Sequence, residues 1–147
     1  MREARNASTM SKDPSSKVGA VLVKDRRIVG TGFNGFPRGL SDDCRLDDRE
    51  QKLPRVVHAE MNAILNAGRE AEGSTLFMYG FSGAPCANCT KHLLQAGIVQ
   101  VYVCGPELPE RWRKDVDISL DMMREADIPV LEVAQEALEC YNDDLCT

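Results

Sequence analysis

Two short motifs in this chain contain the residue types that hold metal ions and move protons. One is His58-Ala59-Glu60, and the other is Pro85-Cys86-Ala87-Asn88-Cys89. One neutral imidazole and two thiolates would give Zn²⁺ three ligands and leave its fourth position open for water, as in catalytic zinc sites. The two motifs together predict a catalytic zinc site, with His58, Cys86 and Cys89 as ligands and Glu60 beside the open position.

The spacing of the cysteines indicates how they are positioned. Residues three apart lie on one face of a helix, and proline is well tolerated in a first turn. We therefore predict a helix from Pro85 to just before Gly97. Both cysteines then lie in its first turn, where the positive end of the helix dipole favours the thiolate.

The histidine and the glutamate need a different arrangement. His58 and Glu60 are two residues apart and would not share a face in the middle of a helix. At a helix N-terminus both can project beyond the end. The apolar positions 61, 64 and 65 predict such a helix, ending near Gly68. Two helix starts are therefore expected to meet at one metal ion.

Either motif alone is weak, and other interpretations remain open at this stage. A lone Cys-x-x-Cys is also typical of a structural zinc half-site or a redox pair. A closed structural site needs a fourth ligand, for which His92, Cys44 and Cys104 are candidates. A thioredoxin-like redox pair would leave the His-Ala-Glu motif unexplained.

The elements that must position these residues alternate along the chain. Strands are predicted over 18–23, 27–33, 74–79, 98–104 and 128–133. Further helices are predicted within 1–12, around positions 118–126 and over 134–141, and the polar tract 34–54 is predicted to be a functional or mobile loop. The strand-helix-strand unit 74–104 predicts a right-handed crossover. We therefore expect an α/β protein with a mixed sheet covered by helices on both faces, formed by a single domain over residues 1–147.

Composition narrows the classes of partner. The chain has 147 residues and a net charge of −5, so a nucleic-acid groove would have to be local, and we interpret the runs Arg26-Arg27 and Arg111 to Lys114 as solvated faces. No apolar stretch reaches the roughly 18 residues of a membrane helix. Residues 1–6 lack the apolar core of a signal peptide. We expect a cytoplasmic location, where the six cysteines need not form disulfides.

In this order, the two motifs match the H-x-E…P-C-x-x-C signature of zinc deaminases. The chain resembles the cytidine deaminase superfamily, and within it most closely the deoxycytidylate (dCMP) deaminases. The resemblance is carried by the two motifs and by four stretches spread over 11–104, which are residues 11–20, 32–39, 57–65 and 85–98. It implies a three-layer α/β/α cytidine deaminase-like fold with a mixed five-stranded sheet. It also implies a homo-oligomer, often a hexamer.

The resemblance further implies zinc-dependent hydrolysis of dCMP to dUMP. Glu60 would carry a proton from the activated water to N3 of the ring and later to the departing amine. The backbone N–H of Ala59 and the carbonyl of Ala84 would hold the pyrimidine edge. Asn34 would hydrogen-bond the sugar and support the base.

A nucleotide substrate also needs a phosphate site. Arg38 and Lys17 lie in the matching stretches and are our candidates, with Ser11 and Arg45 behind them. Arg38 is the stronger candidate because a guanidinium binds phosphate bidentately.

Other substrates and a role without catalysis stay open. The alternative substrates are dCTP, cytidine, guanine, a modified cytosine and tRNA adenosine. The tRNA substrate is disfavoured by the acidic net charge, because RNA binding needs a basic surface. The rival from another class is a nucleotide-binding or structural zinc protein without turnover.

Overall fold

A five-stranded mixed sheet forms the centre of the computed structural model, which describes residues 1–139. The strands are β1 (Gly19–Lys24), β2 (Arg27–Phe33), β3 (Thr75–Tyr79), β4 (Gln100–Cys104) and β5 (Val130–Glu132), in the order β2-β1-β3-β4-β5. β1 is antiparallel to β2 and β3, whereas β3, β4 and β5 are parallel. The predicted mixed sheet is confirmed, with β4 and β5 shorter than expected.

The first two strands form an antiparallel hairpin. Asp25 and Arg26 make its two-residue turn with φ angles of 50° and 61°. Positive φ at both central residues gives the turn a twist that matches the flanking strands.

The helices are α1 (Arg2–Ser8), α2 (Arg49–Lys52), α3 (Ala59–Ala67), α4 (Ala87–Gln95), α5 (Arg113–Glu125) and α6 (Glu136–Glu139). The closing helix predicted over 134–141 is therefore seen from residue 136 onward, and its last two positions lie outside the described residues, as does Cys146. No helix within residues 1–139 is long and apolar enough to cross a membrane.

The tract 34–54 contains short elements that its composition did not predict. A single 3₁₀ turn covers Cys44–Leu46, and α2 follows it. Each is capped by an aspartate: the Asp43 side chain accepts the N–H of Arg45, and the Asp48 side chain accepts the N–H of Glu50. These caps fix the starts of the two short elements, which hydrophobic periodicity does not predict.

Two glycines show that helices cover both faces of the sheet. A Cβ atom at Gly19 would collide with the backbone of α1, whereas one at Gly32 would collide with the backbone of α3. Gly32 lies opposite Ala20, and neighbouring residues on a strand point to opposite faces. Helices α1 and α3 therefore pack on opposite sides of β1 and β2, which confirms the expected three layers.

The two helices that carry the chemical motifs rest on a shared core. Leu22 of β1, Leu76 of β3 and Val101 of β4 are completely buried, and they belong to one cluster with Ala63 of α3 and Leu93 of α4. α4 also contacts both α3 and α5. The core thus fixes the N-termini of α3 and α4 relative to each other.

Candidate metal centre

The three predicted ligands all lie at helix N-termini. His58 is the N-cap of α3, with the extended dihedral angles φ −72° and ψ 155°, and Cys86 is the N-cap of α4 with φ −65° and ψ 156°. Cys89 follows in the first turn of α4. The cysteine helix therefore begins at Ala87, two residues later than the predicted start at Pro85, because Cys86 itself adopts the capping conformation.

The donor atoms of these ligands fit a zinc ion. Nδ1 of His58 lies 3.4 Å from Sγ of Cys86 and 3.4 Å from Sγ of Cys89. All three donors lie within 4.8 Å of one another. Zinc bonds of about 2.05 Å to nitrogen and 2.3 Å to sulfur put tetrahedral N and S ligands about 3.5 Å apart. The side chains are thus spaced as a zinc site requires.

Within residues 1–139, no fourth His, Cys, Asp or Glu joins this cluster. Nδ1 of His92 lies 2.7 Å from the carbonyl oxygen of Asn88, Cys44 is exposed, and Cys104 is buried in β4. Three ligands with an open position are the arrangement of a catalytic zinc. The closed structural site considered as an alternative is therefore not formed by these residues.

In the metal-free protein, the side chains of the three ligands have different pKa values and therefore different protonation states. The thiol of Cys89, hydrogen-bonded to Cys86, lowers the pKa of Cys86 to about 4, and that thiolate in turn raises the pKa of His58 to about 9. The same hydrogen bond raises the pKa of Cys89. The metal-free site therefore contains one thiolate, one thiol and an imidazolium at neutral pH.

Glu60 lies beside the ligands and is 4% exposed. Burial raises the pKa of its carboxyl group, although the charge of His58 opposes this effect. Glu60 and His58 line the same cavity, whose volume is about 230 Å³. A buried carboxyl group with a raised pKa suits a group that must both accept and donate a proton.

Ala59, Ala84 and Asn34 also line this cavity. Ala59 and Ala84 are buried, at 0% and 3% exposure. The side chain of Asn34 accepts the N–H of Val18 at 2.8 Å and donates to the carbonyl oxygen of Ser16 at 2.8 Å. Asn34 thus fixes segment 16–18 against the cavity, a structural role that its sequence context did not reveal.

The two predicted phosphate ligands lie elsewhere. Arg38 and Lys17 are exposed and are not among the residues that line the cavity. Its lysine and arginine residues are instead Arg49, Lys52 and Arg111. Arg111 belongs to the run that we interpreted as a solvated face. It is exposed, yet it also faces the cavity.

Lys52 is already paired within the wall. Its ammonium group lies 2.9 Å from Oδ1 of Asp13, and both side chains are largely buried. The same oxygen accepts the N–H groups of Ser15 and Ser16. The pair ties α2 to the turn 13–16.

Arg49, Arg111 and Trp112 form what we call the guanidinium mouth of the cavity. The Cζ atoms of Arg49 and Arg111 lie 5.8 Å and 5.9 Å from the centre of the Trp112 ring, within cation–π range. Among residues 1–139, neither guanidinium has a carboxylate within salt-bridge distance. The mouth therefore presents two positive charges without acidic partners in this part of the chain.

A family model described as "Cytidine and deoxycytidylate deaminase zinc-binding region" matches residues 1–105. That range includes the zinc ligands and Glu60 but ends before Arg111 and Trp112. Of the three residues of the guanidinium mouth, Arg49 lies inside the matched region, whereas Arg111 and Trp112 lie outside it.

Individual proteins extend the similarity. An uncharacterized deaminase from the luxG 3′ region of Aliivibrio fischeri is 44% identical over 131 residues, covering 86% of each chain. The deoxycytidylate deaminase of Mus musculus is 43% identical over 99 residues, which are 62% of this chain and 54% of that protein. The chain thus spans about half the length of this mouse relative. The dCMP deaminase of cyanophage S-TIM5, solved with dCMP and dUMP, aligns with a TM-score of 0.73 and 29% identity, covering 90% of this chain and 92% of its own.

Proposed function

This chain belongs to the cytidine and deoxycytidylate deaminase family, and we propose that it hydrolyses dCMP to dUMP and ammonia in deoxynucleotide metabolism. The observation that carries this proposal is the open His-Cys-Cys zinc site with a buried glutamate on the same cavity. Zinc in such a site lowers the pKa of water to about 7 and so supplies a nucleophile at neutral pH.

Glu60 is the proposed catalytic acid and base. The reaction adds water at C4 of the cytosine ring and releases ammonia, so protons must move to N3 and then to the amine. The Glu60 carboxylate would accept the first proton from water, and the raised pKa of this buried group favours its return to the ring. A single residue therefore serves both steps.

The part of the cavity beside the metal centre, around Ala59 and Ala84, would hold the cytosine base. Ala59 is the first residue of α3, and a backbone N–H in the first turn of a helix has no partner within the helix. This N–H and the carbonyl of Ala84 are the proposed contacts for the pyrimidine edge. Asn34 is proposed to support the base and sugar through the 16–18 segment that it fixes, as well as by direct hydrogen bonding.

The guanidinium mouth favours a substrate with a phosphate. Guanidinium groups bind phosphate through paired hydrogen bonds, and Arg49 and Arg111 line the same cavity as Glu60. We therefore propose these two arginines as phosphate ligands. Arg38 and Lys17 remain the candidates from the sequence, and their removal tests the two assignments against each other.

The direct test is the loss of the cytosine ultraviolet band in zinc-loaded protein. We would compare dCMP with deoxycytidine, CMP and dCTP, each with and without a strong chelator. We expect chelator-sensitive conversion of dCMP that is faster than that of the other three. Failure to convert any of them with zinc bound would contradict the assignment. Separate assays would then address guanine, modified cytosines and tRNA adenosine, and inactivity on all would favour a binding or structural protein.

We also propose a homo-oligomer in the cytoplasm, a hexamer being the form that the family resemblance suggests. Light scattering of the full chain checks the assembly, and a monomer at micromolar concentration would contradict it. A single domain over residues 1–147 remains our prediction.

A further inference from the structure

The first turn of the cysteine helix is held from outside by a carboxylate of α5. Cys86 uses its side chain within the metal centre, where its Sγ also accepts the N–H of Cys89 at 3.4 Å. The first N–H of the helix, that of Ala87, donates to Oδ2 of Asp115 at 2.9 Å. An N-cap side chain binds the second or third N–H of its helix, so Asp115 satisfies an N–H that the side chain of Cys86 leaves without a partner.

A second contact, one turn further on, keeps the two helices in register. The hydroxyl groups of Thr90 and Ser119 lie 2.6 Å apart, and both residues are completely buried. Asp115 and Ser119 are four residues apart on α5, and Ala87 and Thr90 are three apart on α4, so each pair shares a helix face. One face of α5 therefore contacts α4 at its first residue, Ala87, and again one turn later at Thr90.

These contacts come from a part of the chain that the family model does not cover, since the match ends at residue 105. Asp115 also lines the cavity with His58 and Cys86. We propose that Asp115 is a positioning residue for the metal centre. Its hydrogen bond to Ala87 holds the first turn of α4 so that Cys86 and Cys89 face His58. Partners that orient metal ligands typically affect metal affinity by 10- to 100-fold when removed.

The chain offers variants that separate this role from general packing. D115A removes the acceptor, D115N keeps an acceptor oxygen without the charge, and S119A removes the neighbouring buried contact without touching Ala87. Should D115A fail to fold, D115S replaces it, because a hydroxyl on Cβ stops short of the position of Oδ2. Folding is checked by circular dichroism and thermal unfolding.

The readouts are the zinc dissociation constant, from competition with a chromophoric chelator, and the thiolate-to-metal charge-transfer bands of the Co²⁺-substituted protein. We expect D115A to weaken zinc binding by about 10- to 100-fold and to alter the cobalt bands. D115N should stay within a few-fold of wild type, because it keeps the weaker, uncharged hydrogen bond. S119A should lower the unfolding temperature and leave zinc affinity within about twofold.

Two results would overturn the proposal. One is unchanged zinc affinity and cobalt spectrum in D115A. The other is an equal loss of affinity in D115A and S119A, which would indicate general loosening between α4 and α5. Neither measurement involves a nucleotide, so failure of the proposed substrate would leave this test intact.

Discussion

The floor and the mouth of the cavity are built in different ways. The floor carries the zinc ligands and Glu60 on the first turns of two helices that rest on the central core. The mouth combines Arg49, from the short helix α2, with Arg111 and Trp112 from the segment before α5. We therefore expect the floor to perform the chemistry, and the mouth, whose residues lie outside the core cluster, to determine the choice of substrate.

The largest effect is expected from the variant E60Q. Glutamine keeps the volume of the buried side chain and removes the group that exchanges protons. We expect kcat to fall by roughly 10²- to 10⁴-fold while zinc stays bound, as measured by the deamination assay and by metal analysis. A rate within tenfold of wild type would show that the floor does not use Glu60 for proton transfer.

The floor could be predicted from sequence because its geometry is local. Each ligand lies at a helix start. If the spacing within either motif differed by one residue, Glu60 or Cys89 would no longer lie at the site. Even the misplaced start of α4 at Pro85 left both cysteines within one turn. The family motifs and elementary zinc chemistry were therefore enough for these residues.

The mouth could not be predicted in the same way. Arg38 and Lys17 lie in stretches that resemble the family, and this resemblance is the basis for predicting them as phosphate ligands. Whether a residue lines the cavity depends instead on the path of the chain between the motifs. The pairing of Lys52 with Asp13 and the stacking near Trp112 join residues far apart in sequence. No periodicity or turn signal reports such contacts.

The second prediction concerns the protons that the ligand side chains of the floor release when zinc binds. In the metal-free protein His58 has a pKa raised to about 9 and Cys89 has a raised pKa, whereas the pKa of Cys86 is lowered to about 4. Zinc requires a neutral imidazole and two thiolates. Binding at pH 7 should therefore release two protons, one from His58 and one from Cys89.

Zinc affinity should accordingly rise by about 100-fold per pH unit between pH 5 and pH 7, because two protons leave on binding and the zinc-bound water has not yet lost its own. Above pH 9 the imidazole has already lost its proton, so the slope should decrease. Competition with a chelator of known proton affinity measures this dependence. A slope near zero below pH 8 would contradict the proton distribution inferred for the floor.

The smallest of these effects is expected at the mouth, where the variants R49A and R111A test phosphate binding. Loss of one charged hydrogen bond costs about 1.5–3 kcal/mol, which corresponds to roughly a 10- to 100-fold rise in KM for dCMP. The KM for deoxycytidine should not change, since the nucleoside has no phosphate, and zinc affinity should stay constant because the floor is untouched.

The matched control is R113A, which removes an arginine two residues from Arg111. Arg113 is exposed, is paired with Glu107 and Glu110, and is not among the residues that line the cavity. It should leave both KM values unchanged, so any loss specific to R49A and R111A reflects their place at the mouth rather than net charge. The contrary result is that R38A raises the KM for dCMP while R49A and R111A do not. The phosphate would then bind outside the guanidinium mouth, at the residue predicted from the family-like stretches.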